Sequence, residues 1–234
     1  MDVPRVAEER AKVIMEMRYR NRWWVKSLKR VYFLLKFEFT AVACVLAGEL
    51  KMRLFFDKNN TNRLEVGVAV TKRKAGFITS DLDLTTDFPY DLRAGLPFPD
   101  GSLDFIYAEH VLEHFGYKDL TYLLKDCHRT LKPGGTLSVA VPDAGIYLDA
   151  YYRPEGFDRE MYCQYDSGLS YKARIDYVNY MFYMDGHHRH MFDKESLLVV
   201  LTDMGFSGAR LRDFDAQLDQ ESRRNQTIYA ECNK

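Results

Sequence analysis

Short apolar runs flank an amphipathic stretch in the middle of the chain, and this alternation predicts the central fold. Residues 103–108 (LDFIYA) and 136–141 (TLSVAV) are mostly apolar and rich in aromatic or β-branched residues, as parallel strands covered on both faces are. Between them, apolar residues recur at helical spacing: Leu120, Leu123, Leu124, Cys127 and Leu131. Residues 132–135 (KPGG) end that helix, because proline cannot continue it. The pattern predicts one right-handed strand–helix–strand unit.

Five further stretches predict the remaining strands: residues 63–70 (RLEVGVAV), 76–82 (GFITSDL), 89–92 (PYDL), 208–214 and 226–232 (QTIYAEC). The last two are expected to pair as an antiparallel hairpin. Asp193 is placed to cap a final helix, with Ser196 in its first turn and Gly205 at its end. The order of elements therefore predicts an α/β fold.

The N-terminal part has a different pattern. Residues 6–30 are helical in composition and basic toward the end, and residues 31–50 (VYFLLKFEFTAVACVLAGEL) are strongly apolar, interrupted by Lys36 and Glu38. Three interpretations stay open: a pair of helices that caps the sheet or forms a homodimer contact, a peripheral membrane helix, and a spanning helix. The polar residues 57–62 (DKNNTN) mark a boundary. We expect a helical extension over residues 1–62 and one domain over residues 63–234.

Composition narrows the class of protein. A chain of 234 residues with net charge −1 and pI about 6.6 has no overall field that would recruit nucleic acid. Its four cysteines form no CxxC pair, which favours reduced thiols over a disulfide frame or structural zinc. The first thirty residues are charged and lack the apolar core of a cleavable signal peptide. These features predict a cytoplasmic protein, with membrane association open through the N-terminal helices.

Two segments carry a resemblance to a known family. Residues 96–114 (LPFPDGSLDFIYAEHVLEH) and 128–143 (HRTLKPGGTLSVAVPD) resemble the second half of a class I S-adenosylmethionine (SAM)-dependent methyltransferase. They look closest to small methyltransferases found with sugar and polysaccharide biosynthesis genes, and the similarity covers roughly residues 63–232. The resemblance implies a Rossmann-like, mostly parallel seven-stranded sheet with a C-terminal antiparallel hairpin. It also implies SAM as cofactor and a sugar or glycan as acceptor.

The resemblance assigns cofactor contacts to residues at the ends of the first strands. Asp81 would accept hydrogen bonds from the ribose hydroxyls, Asp91 would meet the adenine amino group, and Glu109 would face the methionine end. Gly67 stands where the first glycine of the family's turn belongs, but Ala69 stands at the second, and alanine does not take positive φ cheaply. The full predicted set is Glu65, Gly67, Ala69, Asp81, Leu82, Asp91, Leu92 and Glu109.

Histidines are the candidates for acid–base chemistry. A sugar hydroxyl is a poor nucleophile unless its proton is accepted during transfer, and histidine suits that task near neutral pH. His110 is therefore the first choice as general base. His114 follows four residues later, and His190, by the resemblance, faces the mouth of the site. For each the alternative is a structural histidine that orders the cofactor or a loop.

The insertion over residues 144–192 is rich in tyrosine. It holds nine of the sixteen tyrosines, and aromatic faces with hydroxyl tips suit a sugar, although about half of them should only pack. His187, His188 and His190 invite a metal interpretation, but their spacing lacks a clear carboxylate partner, so no metal is expected.

The combined prediction is a SAM-dependent O-methyltransferase that acts on a sugar or glycan. One alternative is methylation of a small lipid-like acceptor, which the apolar N-terminal helices would suit. The other is a non-catalytic interaction module, with Ala69 marking a lost cofactor site.

Overall fold

The computed structural model describes residues 3–60, 62–68 and 74–234, with side chains described from residue 26 onward. By its internal contacts the chain divides into two compact units, Met1–Ala43 and Cys44–Lys234.

The N-terminal part forms one helix, α1 (Val3–Phe55), of 53 residues. The expected pair of helices is thus wrong: no proline or glycine stands near residues 30–31 to break the helix. In the second unit the helix buries Cys44 and Met52, and at Gly48 an added Cβ would lie 2.2 Å from the carbonyl oxygen of Pro89. Within the described chain, Lys26–Phe55 is long and apolar enough to cross a membrane, on length and composition alone.

The second unit contains a six-stranded sheet: β1 (Arg63–Val66), β2 (Ile78–Ser80), β3 (Leu103–Glu109), β4 (Leu131–Pro142), β5 (Ser207–Leu211) and β6 (Thr227–Asn233). The strand order is β2-β1-β3-β4-β6-β5. β1 to β4 pair in parallel, and β6 pairs antiparallel with both β4 and β5. This confirms the Rossmann-like fold with its C-terminal antiparallel hairpin.

The expected count of seven strands is wrong because residues 89–92 do not form one. Phe88 and Tyr90 each donate a backbone hydrogen bond to the β2 segment, to the carbonyl oxygens of Thr79 and Asp81, both at 2.9 Å. The chain then turns at Asp91, whose carboxylate caps the short 3₁₀ helix Leu92–Ala94. Pairing beside β2 therefore stops before a strand is formed.

The predicted crossover helix is α2 (Tyr117–Thr130), with Leu120, Leu123, Leu124 and Cys127 buried against the sheet. Two helices of the insertion follow, α3 (Ala144–Tyr152) and α4 (Arg159–Tyr162), and then α5 (Ile175–Tyr183). The last helix, α6 (Lys194–Asp203), has the predicted cap: the Asp193 carboxylate accepts from the backbone of Ser196 in a capping box.

The insertion has an apolar cluster of its own, centred on Tyr147, Tyr180 and Met181. Tyr147 is fully buried, and its hydroxyl donates to the carbonyl oxygen of Tyr162 at 2.7 Å. Other tyrosines of the insertion stay exposed: Tyr151, Tyr152, Tyr165 and Tyr183. The tyrosines therefore divide between packing and surface, as expected.

Candidate active site

A cavity of about 340 Å³ opens at the carboxyl ends of β1, β2 and β3. This is the point where the strand order reverses, the usual position of a ligand crevice in open α/β sheets. Among the described residues, its lining contains Glu65, Val66, Gly67, Val68, Asp81, Leu92, Glu109, His110, Val111, His114, Phe115, Gln220 and Arg223. Five predicted cofactor residues and two predicted catalytic histidines are thus brought together.

Gly67 ends β1 in a conformation that favours glycine. Its φ is +70°, and its N–H donates to the carbonyl oxygen of Ser80 at 3.1 Å. An added Cβ would lie 2.1 Å from Cγ2 of Val111. The absent side chain therefore lets the turn after β3 approach β1 and keeps the cavity floor open.

Two buried acids, Glu65 and Glu109, face the same cation. The Lys74 ammonium contacts the Glu65 carboxylate and lies 3.8 Å from Oε2 of Glu109. The other oxygen of Glu109 accepts a 3.0 Å hydrogen bond from the backbone N–H of Gln220. Among the described residues, this end of the cavity therefore carries two acids, and Lys74 partly balances their negative charge.

Asp81 lies just beyond β2 and lines the cavity. Burial raises the pKa of its carboxyl group, while a 2.6 Å hydrogen bond from the backbone N–H of Leu82 acts in the opposite direction. A partly buried carboxylate at this edge can accept hydrogen bonds from paired hydroxyl groups.

Three other predicted cofactor residues lie elsewhere. Asp91 is not among the described residues that line the cavity. Its carboxylate instead accepts hydrogen bonds from the backbone N–H and Nη2 of Arg93, at 3.0 and 2.6 Å. Leu82 is also outside that lining, and Ala69 falls outside the described residues. The roles assigned to these three residues stay predictions.

The imidazole of His110 contacts Thr227 through one ring nitrogen and Glu113 through the other. Its Nε2 lies 2.8 Å from Oγ1 of Thr227, and that hydroxyl donates to the carbonyl oxygen of Arg223 at 2.8 Å. The hydroxyl must therefore accept from Nε2–H, which leaves the lone pair of the imidazole on Nδ1, 3.5 Å from Oε1 of Glu113. Burial, together with the charge of Arg223, lowers the pKa of His110 well below its ordinary value. His110 is therefore neutral at neutral pH.

Glu113 is completely buried in the short 3₁₀ helix Leu112–His114. Among the described residues, neither carboxylate oxygen has a hydrogen-bond partner. Burial raises the pKa of its carboxyl group to about 8. Its carbonyl oxygen accepts from the backbone N–H groups of Arg189 and His190, at 2.8 and 3.1 Å. These two bonds bring the end of the insertion to the cavity.

His114 and His188 flank this carboxylate. Nδ1 of His114 lies 3.0 Å from the carbonyl oxygen of His187, and Nε2 lies 3.9 Å from Oε1 of Glu113. Nδ1 of His188 lies 2.6 Å from the carbonyl oxygen of Met181, and the two imidazole rings are 5.2 Å apart. Burial lowers the pKa of His114 and that of His188, the latter to about 4.

His190 is not part of the described cavity lining. Its ring packs on Phe192 at 4.7 Å and on Tyr117 at 5.6 Å between centroids. Burial lowers the pKa of His190. Its predicted place at the mouth of the site stays a prediction.

Sequence reasoning missed several residues of the site. Lys74 belongs to a short basic stretch without a motif, and Gln220 and Arg223 lie in a connection that looks like an ordinary polar loop. Glu113 stands in the HVLEH segment, but no pattern shows that its side chain turns inward. Only the fold brings these residues to the crevice.

The residues present fit SAM, the cofactor that the fold implies. Gly67 removes the side chain that would fill the floor, Asp81 offers acceptor oxygens for ribose hydroxyls, and Glu109 offers negative charge for the cationic end. The fit rests on these three described residues.

One family model matches part of the chain. The family model described as a methyltransferase domain matches residues 84–139, which include β3, α2 and most of β4. No curated protein sequence matches the chain.

Solved structures of similar fold come from several organisms. A SAM-dependent methyltransferase from Archaeoglobus fulgidus is 14% identical, covers 87% of this chain and 99% of its own, and has a TM-score of 0.43. A possible histamine N-methyltransferase from Thermotoga maritima is 15% identical, covers 87% and 96%, and has a TM-score of 0.46. Phosphoethanolamine N-methyltransferase 2 from Haemonchus contortus, in complex with SAM, is 12% identical, covers 78% and 50%, and has a TM-score of 0.42.

The family match falls on the unit that delivers Glu109, His110 and His114 to the crevice, and the strand order around it is that of the implied fold. The interpretation as a non-catalytic module is therefore not supported. The methyltransferase-domain match over residues 84–139, together with the Rossmann-like strand order, indicates a SAM-dependent methyltransferase with SAM as its methyl donor.

Proposed function

We propose that the enzyme methylates a hydroxyl group of a sugar or glycan. SAM supplies an activated methyl group, so the protein has to align the acceptor and accept its proton. The observation that carries the proposal is the polarity of the cavity: acids line one end, and the neutral imidazoles of His110 and His114 line the other. A hydroxyl acceptor needs a proton acceptor at that second end.

We assign the general base to His110. Its tautomer is fixed by Thr227, so the lone pair is on Nδ1 and ready to accept a proton. Its backbone is also fixed, because its N–H donates to the carbonyl oxygen of Ala140 at 2.8 Å. His114 lines the same end and is half-exposed, so it can contact the acceptor from the solvent side.

The choice of a sugar or glycan rests on the resemblance and on the insertion. Exposed tyrosines of α3 and α5, such as Tyr152 and Tyr183, offer aromatic faces with polar tips. Arg223 adds positive charge to the cavity wall, which would favour an acceptor that carries phosphate or carboxylate, such as a nucleotide sugar.

The test is a screen with SAM carrying a labelled methyl group. Nucleotide sugars and glycans form one panel, lipid-like or quinone-type acceptors a second, and small amines a third. Label transfer to a hydroxyl of the first panel, lost in His110→Ala, is the expected result. Transfer confined to either of the other panels would contradict the proposal.

We also propose that the first unit inserts into a membrane. Five consecutive residues of α1, from Val31 to Leu35, are apolar and each at least 52% exposed. At about 100° per residue they cover every side of the helix, whereas a protein groove or a dimer partner would cover one stripe. Lys26, Lys29 and Arg30 are exposed just before them, where basic side chains next to an apolar segment would contact anionic lipid headgroups.

Vesicle flotation of the full chain tests the membrane proposal. We expect binding to anionic vesicles, weaker binding to neutral ones, and loss of both in Phe33→Ser/Leu34→Ser. The matched control is Val199→Ser, which removes an exposed apolar side chain from α6. Failure of the wild-type chain to float, together with a dimer in sedimentation that the double variant abolishes, would favour the homodimer instead.

A further inference from the structure

A second group of side chains lies beside the acceptor end of the cavity. Glu113, His114 and His188 each place one potential ligand atom so that all three atoms lie within 4.8 Å of one another. The first two come from the turn after β3, and the third comes from the end of the insertion, more than seventy residues later. The fold therefore assembles two imidazoles and a carboxylate that the sequence keeps apart.

Both histidines are oriented by backbone carbonyl groups. A carbonyl oxygen can only accept, so Nδ1 of His114 must donate to His187 and Nδ1 of His188 must donate to Met181. Each imidazole then has its lone pair on Nε2, the atom that can bind a cation. Histidines that bind metals are held in the same way, by donating the other ring N–H to a carbonyl or carboxylate.

The carboxylate between them lacks a partner of its own. Glu113 is 0% exposed, and neither of its oxygens accepts a hydrogen bond from any described residue. The charged form of a buried carboxyl group is costly without compensation, and buried carboxylates are normally hydrogen-bonded, paired or bound to a metal. The nearest described basic groups are imidazoles, at 3.5 Å for Nδ1 of His110 and 3.9 Å for Nε2 of His114. A bound cation would supply the missing compensation.

We propose that Glu113, His114 and His188 bind a divalent transition-metal ion. Two imidazoles and one carboxylate suit Zn²⁺ or Fe²⁺, whereas Mg²⁺ and Ca²⁺ prefer oxygen ligands alone. Three protein ligands leave at least one position free for a further ligand. The expectation of no metal considered only the histidines of residues 187–190, and the carboxylate comes from another element.

The coordination position that the protein leaves free suggests a role for the ion in methyl transfer, and this role rests on the proposed function. His114 also lines the cavity, so the ion would lie beside the acceptor end. A hydroxyl bound to a divalent cation releases its proton more readily, and the lone pair of His110 Nδ1 faces the same carboxylate. The ion would thus polarise the acceptor hydroxyl at this end of the cavity.

Equilibrium dialysis of the full, untagged chain after treatment with EDTA tests the site. We expect one equivalent of Zn²⁺ or Co²⁺ per chain, with visible Co²⁺ absorption, and no binding of Mg²⁺ at the same concentration. Glu113→Gln and His188→Asn should each weaken Zn²⁺ binding by at least about tenfold, the lower range for altered metal surroundings. His187→Gln is the matched control, because it removes a neighbouring imidazole that is not in the triad, and it should bind like the wild type.

His114→Gln is the third triad variant and the one least able to disturb folding, because the His114 side chain is 44% exposed and its replacement leaves the core unchanged. Equal Zn²⁺ affinity in the wild type and all three triad variants would overturn the proposal. So would an equal loss in His187→Gln, or absence of binding to a folded wild type. Calorimetry with S-adenosylhomocysteine on the metal-free chain reports the cofactor site separately, so failure of the metal site leaves the proposed methyl transfer standing and testable.

Discussion

The hydroxyl of Tyr107, in the middle of β3, donates a 2.8 Å hydrogen bond to Oδ1 of Asp219 in the connection between β5 and β6. Arg212 donates two more bonds to the same carboxylate, at 2.6 and 2.7 Å. The next residue, Gln220, donates its N–H to Glu109. A connection that looks like an ordinary polar loop is thus fixed by a buried carboxylate and forms one wall of the cavity.

Removing this carboxylate should destabilise the fold. Asp219→Ala leaves the guanidinium of Arg212, whose side chain is only 12% exposed, without its partner. Breaking one side of a buried pair costs about 3–5 kcal/mol, and we expect a loss of that order in the free energy of urea unfolding. Asp149→Ala, which removes an exposed partner of Arg153, is the control and should leave the midpoint unchanged. An unchanged midpoint in Asp219→Ala would show that the network is not structural.

The same carboxylate predicts an acid limit to stability. Burial raises the pKa of Asp219, but the hydrogen bonds from Arg212, the backbone of Asp215 and Tyr107 outweigh it, and the net pKa lies below the ordinary 3.8. A lowered folded-state pKa stabilises the fold above the unfolded value, and this stability is lost as pH falls through the folded value. Between about pH 5 and pH 3, the wild type should lose more unfolding free energy than Asp219→Asn. Parallel curves for the two proteins would contradict this assignment.

Asp81 should contribute mainly to cofactor binding. Asp81→Ala removes acceptor oxygens for the ribose hydroxyls, and we expect S-adenosylhomocysteine to bind at least about tenfold more weakly, since hydrogen bonds to a charged group contribute about 1.5–3 kcal/mol. Isothermal titration calorimetry measures the change. Asp83→Ala is the neighbouring control and should bind nearly normally. If both variants lost the same amount of S-adenosylhomocysteine affinity, the specific role of Asp81 in cofactor binding would be refuted.

Alanine substitutions at Gly67 and Gly134 distinguish the effect of backbone strain from that of a steric clash with a neighbouring side chain. Both have positive φ, +70° and +77°, but an added Cβ meets Val111 only at Gly67 and finds open space at Gly134. Gly134→Ala should cost about 1–2 kcal/mol of stability and keep cofactor binding. Gly67→Ala should cost more and abolish binding, because Val111 must move into the cavity. Calorimetry and urea unfolding of both variants check this, and normal binding by Gly67→Ala would contradict it.

His110→Ala should separate binding from turnover. We expect S-adenosylhomocysteine affinity near the wild-type value and a loss of kcat of about 10²–10⁴-fold, the usual range for a general base. The control is His128→Gln, in α2, where the ring packs on Phe206. Equal loss of affinity and turnover in His110→Ala would refute its assignment as the base.

The sequence predicted those parts of the fold that depend on local patterns. The helical spacing from Leu120 to Cys127 and the Asp193 cap of the last helix are local, and the structure has both. Residues 89–92 were predicted to form a strand from their own residue types alone. Whether such a segment pairs with β2 over its whole length depends on where the chain turns away. Here the chain turns at Asp91, which caps the 3₁₀ helix Leu92–Ala94.

The site divides in the same way. Gly67, Asp81, Glu109 and His110 stand at predicted strand ends, and strand ends share one edge of a parallel sheet, so their approach could be expected. Lys74 reaches Glu65 from a loop, and His188 meets Glu113 through the packing of the insertion. Such partners depend on tertiary contacts that no periodicity in the sequence records.

The two hydrogen bonds from Arg189 and His190 to the carbonyl oxygen of Glu113 have a consequence for protein engineering. They join the tyrosine-rich insertion to the turn that carries His114, so the two segments form one graftable module. An insertion exchanged alone between related enzymes, with the aim of changing the substrate, would leave that carbonyl without its donors and misplace the turn. A chimera should therefore transfer residues 110–115 together with residues 144–192.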